Sequence, residues 1–129
     1  MRTAVRSGSP YEDRFGFSRA LRVGDVIHVA GTAPVWPDGS CDPDAEVQAD
    51  RCFEIAARAL ADAGASLDDV VRTRMYLTDA SVADAVGRAH ARAVGHVRPA
   101  ATMVVVAGLV DERWLVEIEL DAVVGSPSS

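Results

Sequence analysis

Between Glu46 and Leu77 the apolar residues change their spacing, and that change constrains the fold more than any other feature of the chain. From Glu46 to Ala63, the residues Ala49, Cys52, Phe53, Ala56, Leu60 and Ala63 recur every three or four positions, which gathers them on one face of a helix. Gly64 is a natural terminator for it. From Val70 to Leu77 the spacing becomes two: Val71, Thr73, Met75 and Leu77 point one way, and Arg72, Arg74 and Tyr76 the other. A one-faced helix followed closely by a half-buried strand calls for a helix layer packed on a sheet.

The rest of the chain extends that pattern. Residues 20 to 30 place two β-rich pieces around Gly24-Asp25, a pair suited to a two-residue hairpin turn. Pro37, Asp38-Gly39 and Pro43 make Val35 to Asp44 a loop. Asp79 or Ser81 can cap a second helix, with Val82, Ala85, Val86, Ala89 and Ala93 as its buried stripe before Gly95 interrupts it. Thr102 to Val106 and Leu115 to Val124 read as strands joined by a turn around Asp111-Glu112. The order β-β-α-β-α-β-β predicts an α+β domain of two layers, a mixed β-sheet with two helices packed on one face. Residues 1–129 form a single domain whose last four, 126–129, read as a frayed tail.

Composition bounds the partners. A chain of 129 residues with 49% hydrophobic content can build one real core. Its net charge of −6, with thirteen dispersed Lys and Arg residues, offers no basic patch for a phosphate backbone, so nucleic acid is not expected as a partner. Cys41 and Cys52 are too few for a disulfide framework and read as reduced thiols, in keeping with a cytoplasmic protein. No apolar run approaches the roughly 18 residues needed to span a bilayer, so no membrane association is expected. The second face of the sheet mixes valines and methionine with charges and needs a cover, for which self-association is the economical answer.

Several ordered motifs carry a resemblance. They are Pro10-Tyr11, Val29-Ala30-Gly31-Thr32-Ala33-Pro34, Gln48 opening the first helix, and Ala63-Gly64-Ala65-Ser66-Leu67-Asp68-Asp69-Val70-Val71 leading to Leu77-Thr78-Asp79. Arg98-Pro99-Ala100 and Val116-Glu117-Ile118-Glu119 follow. In this order and spacing the chain resembles the Rid family of small enamine and imine deaminases, from Pro10 to Ala122. The resemblance implies a homotrimer with active sites in clefts between subunits, no cofactor and a small-molecule ligand. It also implies that Glu117 orients the attacking water and moves protons, that Tyr11 lines the cleft, and that the Gly31 backbone approaches the ligand. Glu119 shares a strand face with Glu117, so one of the two can be salt-bridged structure instead.

The sequence also departs from the family pattern. Where deaminating members clamp the substrate carboxylate with an arginine, this chain has Ala101. Losing such a bidentate pair costs about 2–5 kcal/mol. Arg98, three residues away, projects to the other face if both lie on one extended segment. Arg72 and Arg74 share a face with Tyr76 and could reach a neighbouring subunit, or be solvated or interface-pairing. Ala30 replaces a frequent serine, Gly87 a frequent asparagine, and His90 a nearby aromatic. His90 is therefore a candidate titrating group near the cleft, or a packed residue. Trp114 and Trp36 can wall the cleft or fill an interface.

His28, His90 and His96 show no metal-ligand spacing with the cysteines. There is no phosphate-cradling glycine loop and no Gly-x-Ser-x-Gly nucleophile pattern. The expected activity is hydrolysis or tautomerisation of a reactive imine or enamine, on a larger or less anionic substrate than 2-iminopropionate. The alternatives are a non-catalytic small-molecule-binding or regulatory trimer, and a tailoring enzyme of a biosynthetic pathway.

Overall fold

Gly24 adopts a left-handed φ of 61°, which lets Ala20–Val23 (β2) turn directly into Val26–Thr32 (β3) as an antiparallel hairpin pairing Val23 with Val26. The computed structural model describes residues 1–125; the expected frayed tail, 126–129, lies outside the described residues. Two elements precede the hairpin. Arg2–Val5 (β1) pairs antiparallel with β2. Pro10–Phe15 (α1) is one short helix, started by the Ser9 side chain accepting from the Tyr11 amide and ended at left-handed Gly16.

The long helix α2, Ala45–Asp62, is capped by the Asp44 side chain, which accepts from the Val47 amide at 3.0 Å. Its buried face is the predicted one, with Ala49, Cys52, Phe53, Ala56 and Leu60 each at most 3% exposed. Val70–Leu77 (β4) departs from the simple alternation. Its register shifts between Val70 and Arg72, so Val70 enters the core and Val71, expected to point inward, is 38% exposed. Thr73, Met75 and Leu77 are buried as expected. Asp79 caps a short 3-10 turn over Ala80–Val82, and Ala83–Val94 (α3) continues from it.

Ala100–Val105 (β5) and Val116–Val123 (β6) are joined by a turn in which the Trp114 amide donates to the Asp111 carbonyl at 3.1 Å. They are not sheet neighbours. β6 inserts between β3 and β4, antiparallel to both, and β5 lies beyond β4 and parallel to it, giving the order β1-β2-β3-β6-β4-β5. The α+β expectation thus becomes a six-stranded mixed sheet with three helices.

The core lies between the sheet and α2 with α3. Ile27, Val29, Met75, Leu77, Val116, Ile118 and Leu120 pack there against Phe53, Leu60 and Val86. Along β6 burial alternates without interruption, placing Val116, Ile118, Leu120 and Ala122 inward. Glu117, Glu119 and Asp121 therefore stand on the opposite face, beside Arg72, Arg74 and Tyr76 of β4 and His28 of β3. Gln48 is buried within the helix layer. Its amide donates to the carbonyls of Asp42 and Arg113 at 2.7 and 2.9 Å and accepts from the Leu115 amide at 2.8 Å. One side chain thereby fastens the loop before α2 and the turn before β6 to the same helix.

Candidate functional site

The two β6 carboxylates meet different surroundings. Glu119 lies 3.6 Å from the Arg74 guanidinium and accepts a hydrogen bond from the Tyr76 hydroxyl, which raises the phenol's pKa. Asp121 extends this row, 3.1 Å from Arg74 and 2.7 Å from His28 Nδ1. Glu117 has no ion pair within 4 Å among the described residues. It is half-buried, and desolvation holds its carboxyl above the usual carboxylate range. The Arg19 guanidinium pulls the other way, and Glu119 adds repulsion in the same direction as burial. Of the alternatives left by Glu117 and Glu119, the salt-bridged one is Glu119.

Gly31 explains how the Glu117 carboxylate is seated. The pairing of β3 with β6 slips between Val29 and Thr32, forming a bulge that brings Gly31 against the neighbouring strand. A Cβ at Gly31 would stand 2.6 Å from Glu117 Oε2, so only glycine leaves the carboxylate its place. The bulge is tied further by the Thr32 hydroxyl, which donates to the Ala30 carbonyl at 2.8 Å.

Arg19, which sequence reasoning passed over, completes this side. Its Nη2 donates to the Gly31 carbonyl at 2.7 Å, while its backbone carbonyl accepts from the Ala30 amide at 3.0 Å. Its Nε is buried without a hydrogen-bond partner among the described residues, and desolvation lowers the guanidinium's pKa against the pull of Glu12 and Glu117. Glu12 is 1% exposed and accepts from the Ser7 amide at 3.0 Å and from the Ser7 hydroxyl. The available signal was Ser18-Arg19 next to the hairpin, a charge at the entrance of a strand that begins Ala20-Leu21.

The other candidates fall elsewhere. Tyr11, on α1, is 43% exposed and stacks on Phe15 with ring centroids 6.0 Å apart. Ala101 lies on the edge strand β5 paired with Thr73, and so on the helix side of the sheet, opposite to Glu117. His90 faces the same side: its Nε2 is 2.8 Å from the Thr73 hydroxyl and its ring meets Phe53 edge-on. Desolvation lowers its pKa. Within the protomer His90 thus lies on the sheet face opposite to Glu117, beside Thr73, the residue that pairs with Ala101.

Arg98 is not on the extended segment either. It takes a left-handed φ of 51° in the turn after α3, its amide donating to the Val94 carbonyl at 3.1 Å, so the strand-offset argument does not apply to it. Arg72 is spent on the Thr102 hydroxyl at 2.6 Å and Arg74 on Asp121 and Glu119. Trp114 is 8% exposed, and Trp36 lies under Arg51, whose guanidinium carbon is 5.9 Å from the ring centroid. Cys41 and Cys52 are both free thiols, each pushed up in pKa by burial. Among the described residues no group of three His, Cys, Asp or Glu side chains is placed to hold a metal ion, and no helix is long and apolar enough to cross a membrane.

The likeness to known proteins extends over the whole site. The family model described as endoribonuclease L-PSP matches residues 11–124. An uncharacterized protein of Streptomyces coelicolor is 41% identical over 128 residues, covering 97% of this chain and 94% of its own. A RutC family protein of Pyrococcus abyssi is 33% identical, covering 83% and 84%. Among solved structures, a YjgF/YER057c/UK114 family member from Mycobacterium tuberculosis is 44% identical with a TM-score of 0.89, covering 96% of this chain and 100% of that one. RidA from an Antarctic Psychrobacter gives a TM-score of 0.80 at 26% identity, covering 94% of each chain. With a family model matched over residues 11–124 and a fold shared with a family member over 96% of the chain, the chain belongs to the Rid (YjgF/YER057c/UK114) family.

Proposed function

We propose that this protein hydrolyses or tautomerises a reactive imine or enamine without a cofactor, in a cleft between two copies of the chain, with Glu117 as the acid–base group. The observation that carries this reading is the Glu117 carboxylate itself: half-buried, seated against Gly31, free of an ion pair within 4 Å among the described residues, and raised in pKa by desolvation. A carboxyl brought closer to neutrality can both take and return a proton under ordinary conditions. In hydrolysis, Glu117 accepts a proton from water as the water oxygen bonds to the imine carbon. It returns that proton to the nitrogen, giving a carbinolamine, then takes the proton of the new hydroxyl and delivers it to the amine as the C–N bond breaks, so that ammonia leaves and a carbonyl remains.

The assembly reading rests on geometry. Glu117 and Gly31 lie on the open side of the sheet, whereas Ala101 lies on the helix side of the exposed edge strand β5. One protomer does not bring these positions to a common pocket, and the proposed assembly sets the edge of one copy against the open face of another to join them. Val104 and Val105 of β5, 41% and 55% exposed, supply apolar contact for such packing, and a closed trimer leaves no edge unused. With a methyl at Ala101 facing the cleft, the pocket is wider and carries one charge fewer, which favours a substrate larger or less anionic than 2-iminopropionate.

Ammonia release from imines generated in situ, by an amino-acid oxidase for 2-iminopropionate and by an amine oxidase for imines without a carboxylate, tests the substrate assignment. Wild type should act slowly on 2-iminopropionate and faster on a bulkier, uncharged imine, and Ala101→Arg should raise kcat/KM on 2-iminopropionate by about 30-fold or more. Equal, high activity of both proteins on 2-iminopropionate contradicts the reading. A ligand that raises Tm without being consumed would favour the binding-protein alternative. Ribonuclease chemistry, suggested by the family model's description, is disfavoured by a net charge of −6.

A further inference from the structure

Arg19 holds a position that no motif in the sequence assigns. It precedes β2, yet its side chain reaches across the hairpin to the bulge of β3, where Nη2 meets the Gly31 carbonyl at 2.7 Å. Its main chain is held at both ends of the same region: the Arg19 amide donates to the Val5 carbonyl at 2.9 Å, and its carbonyl accepts from Ala30. The guanidinium also borders a depression of about 450 Å³ between the first strands and α2, together with Arg6, Arg51 and Arg58. Those three are already engaged with Glu12 and Asp13, with Glu54 and the Val35 carbonyl, and with Asp62. Arg19 has no carboxylate within ion-pair distance among the described residues and keeps a buried Nε–H unused. Leaving a donor of a charged group buried and unmet is costly, so some other advantage must retain it.

The advantage is its place relative to Glu117. Resting on the reading of Glu117 as the acid–base group, we infer that Arg19 is a positioning residue for that site: its guanidinium pins the Gly31 carbonyl, thereby the glycine against which the Glu117 carboxylate rests, and its charge acts on that carboxylate. The charged groups acting on Glu117 are then Arg19 from the segment before β2 and Glu119 from its own strand, while Tyr76 of β4 and Cys52 of α2 are neutral neighbours on which the Glu117 charge acts in turn. Only Arg19 is cationic. It favours the carboxylate while the other surroundings favour the acid, so the carboxyl is both available as a base and ready to give its proton back. In this chain, a guanidinium acting on Glu117 coexists with the methyl of Ala101 on β5.

The test reads the carboxyl directly, whether or not a substrate is known. Glu117 is followed by carbon-13 NMR in wild type, Arg19→Gln and Arg19→Lys, with Tm recorded for each. In Arg19→Gln the Glu117 carboxyl should ionise at a higher pH than in wild type, and in Arg19→Lys, which keeps the charge, it should move back towards wild type. In wild type, the Arg19 Nε–H resonance should exchange slowly with water and shift as Glu117 titrates. A folded Arg19→Gln variant whose Glu117 ionises as in wild type overturns the inference, even if Tm has fallen, because a merely structural arginine would give that result. So does a wild-type Nε–H signal indifferent to Glu117, a measurement that holds if the glutamine variant fails to fold. Were Glu117→Gln to retain full imine turnover while these shifts appear, the acid–base reading would fall and the Arg19–Glu117 coupling would stand.

Discussion

Two glutamates two residues apart on β6 illustrate how little separates a structural carboxylate from a chemical one. Glu119 is balanced by Arg74 and Tyr76, whereas Glu117 is left against a glycine, partly out of water, with a guanidinium acting on it from beyond ion-pair distance. The position of Gly31 follows from this and gives a sharp prediction. In Gly31→Ala the new methyl would stand 2.6 Å from Glu117 Oε2, but that atom is the end of a flexible side chain and can swing aside. Tm should therefore change little while kcat/KM falls about 100-fold or more, the size of a lost general acid–base contribution; an active Gly31→Ala enzyme would contradict the seating of the carboxylate. Linkage gives a second prediction. Because the folded pKa of Glu117 lies above its ordinary value of 4.5, its contribution to stability is present below pH 4.5 and is lost as pH rises through the folded value. Glu117→Gln should remove that fall, visible as a flatter dependence of unfolding free energy on pH across the same window.

At the scale of elements, α3 is joined to the sheet by the bond between His90 and Thr73 of β4, made by a half-buried histidine whose charged form burial disfavours. Its folded pKa lies below the ordinary 6.5, so its contribution is present above pH 6.5 and is lost as pH falls from there through the depressed folded value. Denaturant titrations should show wild type losing stability over that range more steeply than His90→Gln, and equal slopes would contradict an imidazole whose charged form the fold disfavours. Much of this level was legible in the sequence. The α2 stripe, the Gly24-Asp25 hairpin and the strand end at Leu77 follow from local periodicity and turn chemistry. What was not legible depends on partners distant in the chain. The four residues of β1 become a strand only by pairing with β2, and Val71 turns outward because β6 imposes a bulge on β4. β6 enters the middle of the sheet although its predecessor β5 lies at the edge. Arg19 escaped notice for the same reason: a lone arginine before a strand reads as solvated until the Gly31 carbonyl is placed beside it.

For the whole molecule, the sheet divides the candidate residues into two half-sites, Glu117 with Gly31 and Arg19 on one hand and the Ala101 edge on the other. On the proposed reading function is a property of assembly: a protomer of 13.6 kDa carries both halves but joins neither to the other. It follows that two different defects can be carried by different copies and compensate. Glu117→Gln removes the acid–base group and Ala101→Trp fills the opposing edge, so each homogeneous oligomer should be inactive. The decisive measurement is ammonia release from the imine that wild type consumes fastest, made on the two variants separately and after unfolding and refolding them together in equal amounts. The account predicts negligible release from each alone and recovery to about one quarter of wild type in the mixture, since a random trimer restores one cleft in four. Full activity in Glu117→Gln, no recovery in a mixture shown by mass spectrometry to contain hybrid oligomers, or no turnover of any imine by wild type would contradict it.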